Sequence, residues 1–305
     1  MMQDKVDLVV GSDGFIGGAL MRYLKRLGKV VIGTTRRAAV AEEGILYLDL
    51  LQDVENWPCP QRIGTAWICA GIAKIDICRH EPVLSARINV EGISALARNL
   101  VRKGAFVVYL STNQVFDGRT PRPKADAPTN PITEYGRQRV EVEQTLGTMR
   151  GSSAIARFSK VLGVENELFS GWIQLLKNGQ IVHPFSDMYI APVPVSLAVR
   201  VLSSLGDGSL TGITQISGAY DISYADALCH AAQILDLDLN LIQPVEARSF
   251  GFAGGEIPRH TTLDMKRLKS VLGIEAPDPL AAIEEVFGRG RSGEVINKEW
   301  EARKI

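Results

Sequence analysis

The stretch that most restricts this chain is its opening, "VDLVVGSDGFIGGALMRYLKRLG", residues 6–28. A mostly apolar run of strand length meets glycines at 11, 14 and 17. A segment follows in which Phe15, Ile16, Leu20 and Leu24 form a helical stripe. Glycine suits each of three demands made on such a junction: a tight turn, close backbone approach to a pyrophosphate, and close packing of helix on sheet. The helix start then presents N–H donors to phosphates. This order predicts a strand–turn–helix that binds a dinucleotide.

The rest of the first half repeats the alternation. "KVVIGTT", "ILYLDL", "GTAWICA", "AFVVYLST" and "SSAIARFS" are each short and apolar enough for a buried parallel strand. Helical stretches from about Pro82 to Lys103 and over 132–146 lie between the later ones. The expected fold is therefore α/β, a Rossmann-type doubly wound parallel sheet with a smaller C-terminal substrate lobe. The sheet domain is expected over 1–160, rejoined by about 194–218. The lobe falls on 161–193 and 219–290, and 291–305 reads as a charged, solvated tail.

Composition removes several function classes. Lys+Arg and Asp+Glu both number 34, so no net charge favours nucleic acid or an anionic membrane. No apolar run approaches the roughly 20 residues of a membrane span. Cys59, Cys69, Cys78 and Cys229 lack disulfide-framework spacing, and Cys78 with His80 has no second pair of soft ligands, so no metal is expected. The plain reading is a cytoplasmic protein with reduced thiols.

The end of the second strand bears on the cofactor. An NAD site usually places an acid about 20 residues after the glycines, to hold the ribose 2′-hydroxyl. Here the sequence is "TTRR", with Arg36 and Arg37 able to pair with a 2′-phosphate. NADP(H) is expected, and NAD(H) less so.

Further on, "TEYGRQRVEVE" (133–143) places Tyr135 and Arg139 four residues apart on one helix face. A hydride moving to a carbonyl leaves an alkoxide that needs a proton. A tyrosine hydroxyl can supply it, although its unperturbed pKa is about 10. A neighbouring cation stabilises the phenolate and brings that value toward neutrality. A hydroxyl such as that of Thr112 can orient the carbonyl and bond its developing charge.

Taken together, these residues resemble the extended short-chain dehydrogenase/reductases, and most of all the dTDP-4-dehydrorhamnose reductase branch. "VVGSDGFIGGAL", "LDLLQD", "ICAGIAKIDICRHEP", "RINVEGISALA", "STNQVFDG" and "PRHTTLDMKRLKSVLGIEAPDPLAAIEEVF" are similar to that family's motifs and follow their order. The resemblance implies an NADP(H)-dependent reductase of a keto-sugar nucleotide. Its catalytic set would be Thr112, Tyr135 and Arg139, with Asn89 on the supporting helix. It also implies a cofactor wall of Gly11, Asp13, Gly14, Phe15, Ile16, Gly17, Asp49, Leu50, Cys69, Ala70 and Gly71, completed by Arg36, Arg37, Tyr135 and Arg139.

The departures are specific. Arginine stands at 139 where the family has lysine; guanidinium keeps the charge but is planar, bulkier and stricter in geometry. Asn113 and Gln114 replace an Asp-Tyr pair beside Thr112. His183, Met188, Tyr189 and Arg259 are the other substrate-side candidates. A regulatory homologue without turnover, resembling the β subunit of methionine adenosyltransferase, is the alternative, and a nucleotide-sugar epimerase a further one. Ile88, Ile93, Leu96 and Leu100 share a helical face that could pair two copies in a homodimer.

Overall fold

A computed structural model describes residues 5–288 except 39, 40, 42, 60, 61, 150 and 251–256. The expected charged tail at 291–305 lies outside the described residues.

Seven strands form one sheet: β1 (Val6–Val10), β2 (Val31–Thr35), β3 (Ile45–Tyr47), β4 (Ile63–Ile68), β5 (Phe106–Thr112), β6 (Ser153–Phe158) and β7 (Gly212–Ile216). Their order is β7-β6-β5-β4-β1-β2-β3, and every pairing is parallel. This is a Rossmann-type α/β fold. The order reverses beside β1, which opens a crevice at the carboxyl ends of β1 and β4. The expected third strand is shorter than its apolar run, because Leu48 and Leu50 turn into the core after β3 ends.

Helices cover both faces, as the near-continuous burial of the central strands requires. On one side α1 (Phe15–Arg26) packs with the later α7 (Val195–Leu205) over Val9, Trp67 and Val108. The Trp67 indole donates to the Leu202 carbonyl at 2.7 Å, which fixes α7 to the middle of the sheet.

On the other side the stretch expected as one helix is interrupted. Short helices α2 (Ile75–His80) and α3 (Pro82–Ala86) lead into a π-helical turn, Arg87–Gly92, and then α4 (Ile93–Arg102). Ile93, Leu96 and Leu100 are fully buried against the sheet, and Ile88 packs on the same cluster. The apolar stripe expected to pair two copies therefore belongs to the core. Beside it lies α5 (Glu134–Gly147), its N-terminus capped by Thr133.

A third cluster forms beyond the sheet. Leu162, Phe169 and Ile173 meet Leu228, Ile283 and Phe287. All but Leu162 come from α6 (Glu167–Lys177), α8 (Tyr224–Ile234) and α10 (Pro279–Phe287); a short α9 (Lys266–Leu272) packs instead on the main core. Tyr189–Ile190 pairs antiparallel with Ile222–Ser223 in this region. No helix among the described residues is long and apolar enough to cross a membrane.

Candidate active site

The glycine turn is built as its spacing requires. Gly11 has φ of +78°, and a Cβ there would lie 2.9 Å from Ala70 on the facing loop. A Cβ on Gly17 would meet the Gly11 carbonyl oxygen at 2.2 Å, so α1 sits on the turn with no room for a side chain. No side chain caps α1 and no acid lies in its first turn. Its first N–H groups are thus left for an anionic ligand. Phe15 and Ile16 are half-buried and pack against the core, where the Phe15 ring lies over Gly163. Ala70 forms the opposite wall, and Cys69 behind it has its thiol pushed up to about 12 by burial, which keeps it unreactive.

The end of β2 holds an acid that its own sequence lacks. Asp13, from the glycine turn, accepts from the Thr35 hydroxyl at 2.8 Å and from Arg37 Nε at 3.0 Å. Arg37 is therefore ion-paired, whereas Arg36 is exposed and makes no ion pair or hydrogen bond among the described residues. Farther along the crevice, Asp49 builds its own turn by accepting from the Leu51 N–H. Leu50 is buried, its carbonyl close against Gly92.

Thr112 ends β5, and the turn after it meets the start of α5. A Cβ on Gly136 would lie 2.2 Å from the Gln114 carbonyl oxygen. The Thr133 hydroxyl donates to Gln114 Oε1 at 3.1 Å. These contacts bring Tyr135 to the Thr112 turn. Thr112 Oγ1 accepts from the Gln114 N–H at 3.2 Å and makes only a long 3.4 Å approach to Asn113 Oδ1. Its own proton is thus weakly committed.

Arg139 is buried, with its guanidinium 4.8 Å from the centroid of the Tyr135 ring. Nη1 donates to the Tyr109 hydroxyl at 2.7 Å, and Nε has no partner. Burial works against its charge, but the two tyrosines outweigh that and raise its pKa above the ordinary guanidinium value. Burial likewise pushes Tyr109 up to about 12, with Arg139 acting in the opposite direction. Tyr109 therefore stays neutral near pH 7 and leaves the guanidinium charge available to Tyr135. Tyr109 was not legible as a site residue; in "AFVVYLST" it reads as one more strand residue.

Asn89 sits inside the π-helical turn, fully buried. Its side chain accepts from the Ile72 N–H at 2.7 Å and donates to the Ile72 carbonyl and Gln138 Oε1. It thus positions the loop after β4 against α5. Below the site lies a second buried guanidinium, again unforeseen. Arg157 on β6 pairs with Glu143 on α5 at 2.6 Å, and Glu143 also accepts from Ser111, the residue before Thr112. Arg157 Nη1 holds the Ala125 carbonyl, while Gln215 on β7 holds the carbonyls of Pro123 and Asp264.

The substrate-side candidates fall into two groups. Asn113 and Gln114 follow Thr112 directly, and Arg259 is tied to the segment beyond them, where the Arg259 and His260 N–H groups both donate to the Gly118 carbonyl. His183 lies apart and exposed, its ring on the Gln243 carbonyl. Met188 and Tyr189 lie where the Met188 carbonyl accepts from the Tyr224 N–H. Among the described residues no cluster of His, Cys, Asp and Glu could hold a metal ion.

Comparison with known proteins places this geometry. The model of the RmlD substrate binding domain matches residues 6–291. A dTDP-4-dehydrorhamnose reductase of Streptomyces griseus is 28% identical over 306 residues, covering 95% of this chain and 96% of that one. The Haloferax volcanii protein described as "Probable low-salt glycan biosynthesis reductase Agl14" is 24% identical, covering 92% and 97%. Methionine adenosyltransferase 2 subunit beta of Xenopus tropicalis is 25% identical, covering 88% and 84%. Among solved structures, the dTDP-4-dehydrorhamnose reductase of Bacillus anthracis in complex with NADP superposes with a TM-score of 0.83 at 21% identity, covering 93% and 99%. MoeE5 in complex with UDP-glucuronic acid and NAD superposes with 0.77 at 23%, covering 94% and 99%.

Proposed function

The chain belongs to the RmlD substrate binding domain family, and from that premise we propose that it is an NADP(H)-dependent reductase of a keto-sugar nucleotide. One observation carries this reading: a buried guanidinium with no carboxylate in reach among the described residues lies on the ring of Tyr135, at the Thr112 turn. Burying such a charge without a counter-ion is unfavourable by several kcal/mol. A site that keeps it gains a field acting on the phenol.

The crevice fits a dinucleotide. Gly11 and Gly17 bring backbone to backbone, and the uncapped start of α1 faces the opening. Gly11, Gly14, Gly17 and the N–H groups of Phe15 and Ile16 would hold the pyrophosphate, and Arg36 the 2′-phosphate. Bound there, a dihydronicotinamide supplies a hydride to a substrate carbonyl. Tyr135 gives its hydroxyl proton to that carbonyl's oxygen. Arg139 stabilises the phenolate left behind, and the Thr112 hydroxyl orients the oxygen and bonds its developing charge. Asn113, Gln114 and Arg259 would lie on the substrate side, and the cluster built by α6, α8 and α10 would be the lobe beside the sugar. The test is NADPH oxidation with a panel of 4-keto sugar nucleotides. Turnover by the wild type that Tyr135→Phe abolishes is expected; equal background rates for both, with cofactor still bound, would refute the reading.

A second reading is favoured by the Arg139–Tyr109 bond, which holds the cation where a lysine would be free to swing. It is a cofactor-binding regulatory protein, similar in role to the methionine adenosyltransferase β relatives. Cofactor binding without turnover on every substrate would leave it standing.

A further inference from the structure

Another unpaired cation, Lys160, stands at the same end of the sheet. Lys160 follows β6 by two residues, and Phe158, the last of β6, pairs with Thr112. The backbone on both sides is fixed. The Ser159 N–H donates to the Ile216 carbonyl, its hydroxyl donates to the Ala191 carbonyl at 2.5 Å, and the Lys160 carbonyl accepts from the Val193 N–H. The lysine stem is half-buried, and its ammonium lies 5.9 Å from the centroid of the Tyr224 ring.

That ring belongs to the lobe, packed edge-on to Trp172, and the Tyr224 N–H holds the Met188 carbonyl. The ammonium therefore sits between the carboxyl end of the sheet and the Tyr224 ring at the start of α8. It makes no hydrogen bond or ion pair among the described residues. Burial lowers its pKa, and no carboxylate acts to restore it. An ammonium carries three donors and is strongly hydrated. Its ring contact lies near the outer limit of cation–π reach and replaces little of that hydration.

We infer that Lys160 receives an anionic oxygen group of the substrate in the cleft between sheet and lobe. This rests on the nucleotide-sugar reading above, and adds a binding residue to it. Two sources offer such oxygens: a carboxylate on the sugar, or the diphosphate of the nucleotide.

Calorimetric titration with UDP-glucose and with UDP-glucuronic acid, in the presence of NADPH, separates them. Lys160→Met is the variant, with Lys160→Arg as the charge-preserving control. Methionine of similar length leaves no buried unpaired charge, so the thermal midpoint should hold or rise. A loss of about ten- to hundredfold for UDP-glucuronic acid alone, restored in part by Lys160→Arg, assigns a carboxylate. An equal loss for both ligands assigns the diphosphate. Unchanged affinities for ligands that the wild type binds overturn the inference and leave the nucleotide-sugar reading intact.

If the wild type binds neither ligand, that reading fails on its own account. Lys160 is then judged by acetic anhydride labelling of the wild-type protein, read by mass spectrometry with inorganic pyrophosphate or glucuronate added. Protection at Lys160 by either anion upholds its role as an anion receptor, and absence of protection overturns it.

Discussion

Arg139 lies on α5, Arg157 reaches Glu143 one turn further along the same helix, and the chain treats the two in opposite ways. Arg157 meets Glu143 at 2.6 Å, with further acceptors in Ala125 and Gln215. Its charge is neutralised and it serves as a strut between strands and loops. Arg139 has two phenol rings, one hydrogen bond and an unpartnered Nε. Its charge remains to act on whatever lies beside Tyr135. Two buried guanidinium groups of equal charge thus carry different duties, and the presence of a carboxylate decides which. The surface repeats the contrast: Arg37 is paired with Asp13, while Arg36 is open.

Variants at each of the two guanidinium sites, read for both activity and stability, should separate their duties. Tyr135→Phe should lower turnover by on the order of 10²–10⁴-fold, the usual span of general acid catalysis, and leave the thermal midpoint unchanged. Glu143→Gln should do the reverse in kind. It strands Arg157 as an uncompensated buried charge and should lower unfolding free energy by about 3–5 kcal/mol in denaturant titration. Adding Arg157→Met should recover much of that loss. A Glu143→Gln protein of wild-type stability would show that the two regions do not differ as described.

Smaller effects sharpen it. Arg139→Lys removes the donor to the buried Tyr109 oxygen, a loss of about 1–3 kcal/mol. Turnover should fall by about tenfold with it, and Tyr109→Phe in the same chain should restore stability; a double-mutant cycle measures both. At the surface, NADP(H) should bind about ten- to hundredfold more tightly than NAD(H). Arg36→Ala should remove most of that gap and Arg37→Ala little, because Asp13 already engages Arg37. Asp13→Asn frees Arg37 and should widen the preference severalfold. Cofactor titrations that rank the two arginines in the other order would overturn this assignment.

The sheet was legible because its signals are local. Six apolar runs, a glycine turn and helical stripes each follow from a few adjacent residues. Ile45–Tyr47 came out shorter than its run, since nothing local tells a strand residue from one that turns into the core. The π-helical turn was illegible for a related reason: "RINVEG" has ordinary helical composition, and what selects the wider turn is the grip of Asn89 on Ile72. The Tyr135–Arg139 pair could be read from its spacing. Its companions could not, because Tyr109, Glu143 and Arg157 acquire their roles by meeting across the sheet. Lys160 gave no periodic signal at all, being a single charge after an apolar strand. Asp13 stood in plain view within the glycine turn, yet its service to the end of β2 depends on a contact across 22 positions to Thr35.

The bonds of Gln215 carry a consequence for synthesis. A chain emerging from the ribosome releases β1, α1, β2, β4 and the Asn89 turn early, so the glycine turn and the loop facing it exist before residue 113 does. The loop at 118–131 is released soon afterwards, but two of its anchors are not. Gln215 must arrive to hold Pro123, and Asp264 must arrive to share it. Birth order therefore separates two halves of one site. A nascent chain releases the glycine turn and the loop facing it first, and anchors the 118–131 segment only when nearly all of it has left the tunnel.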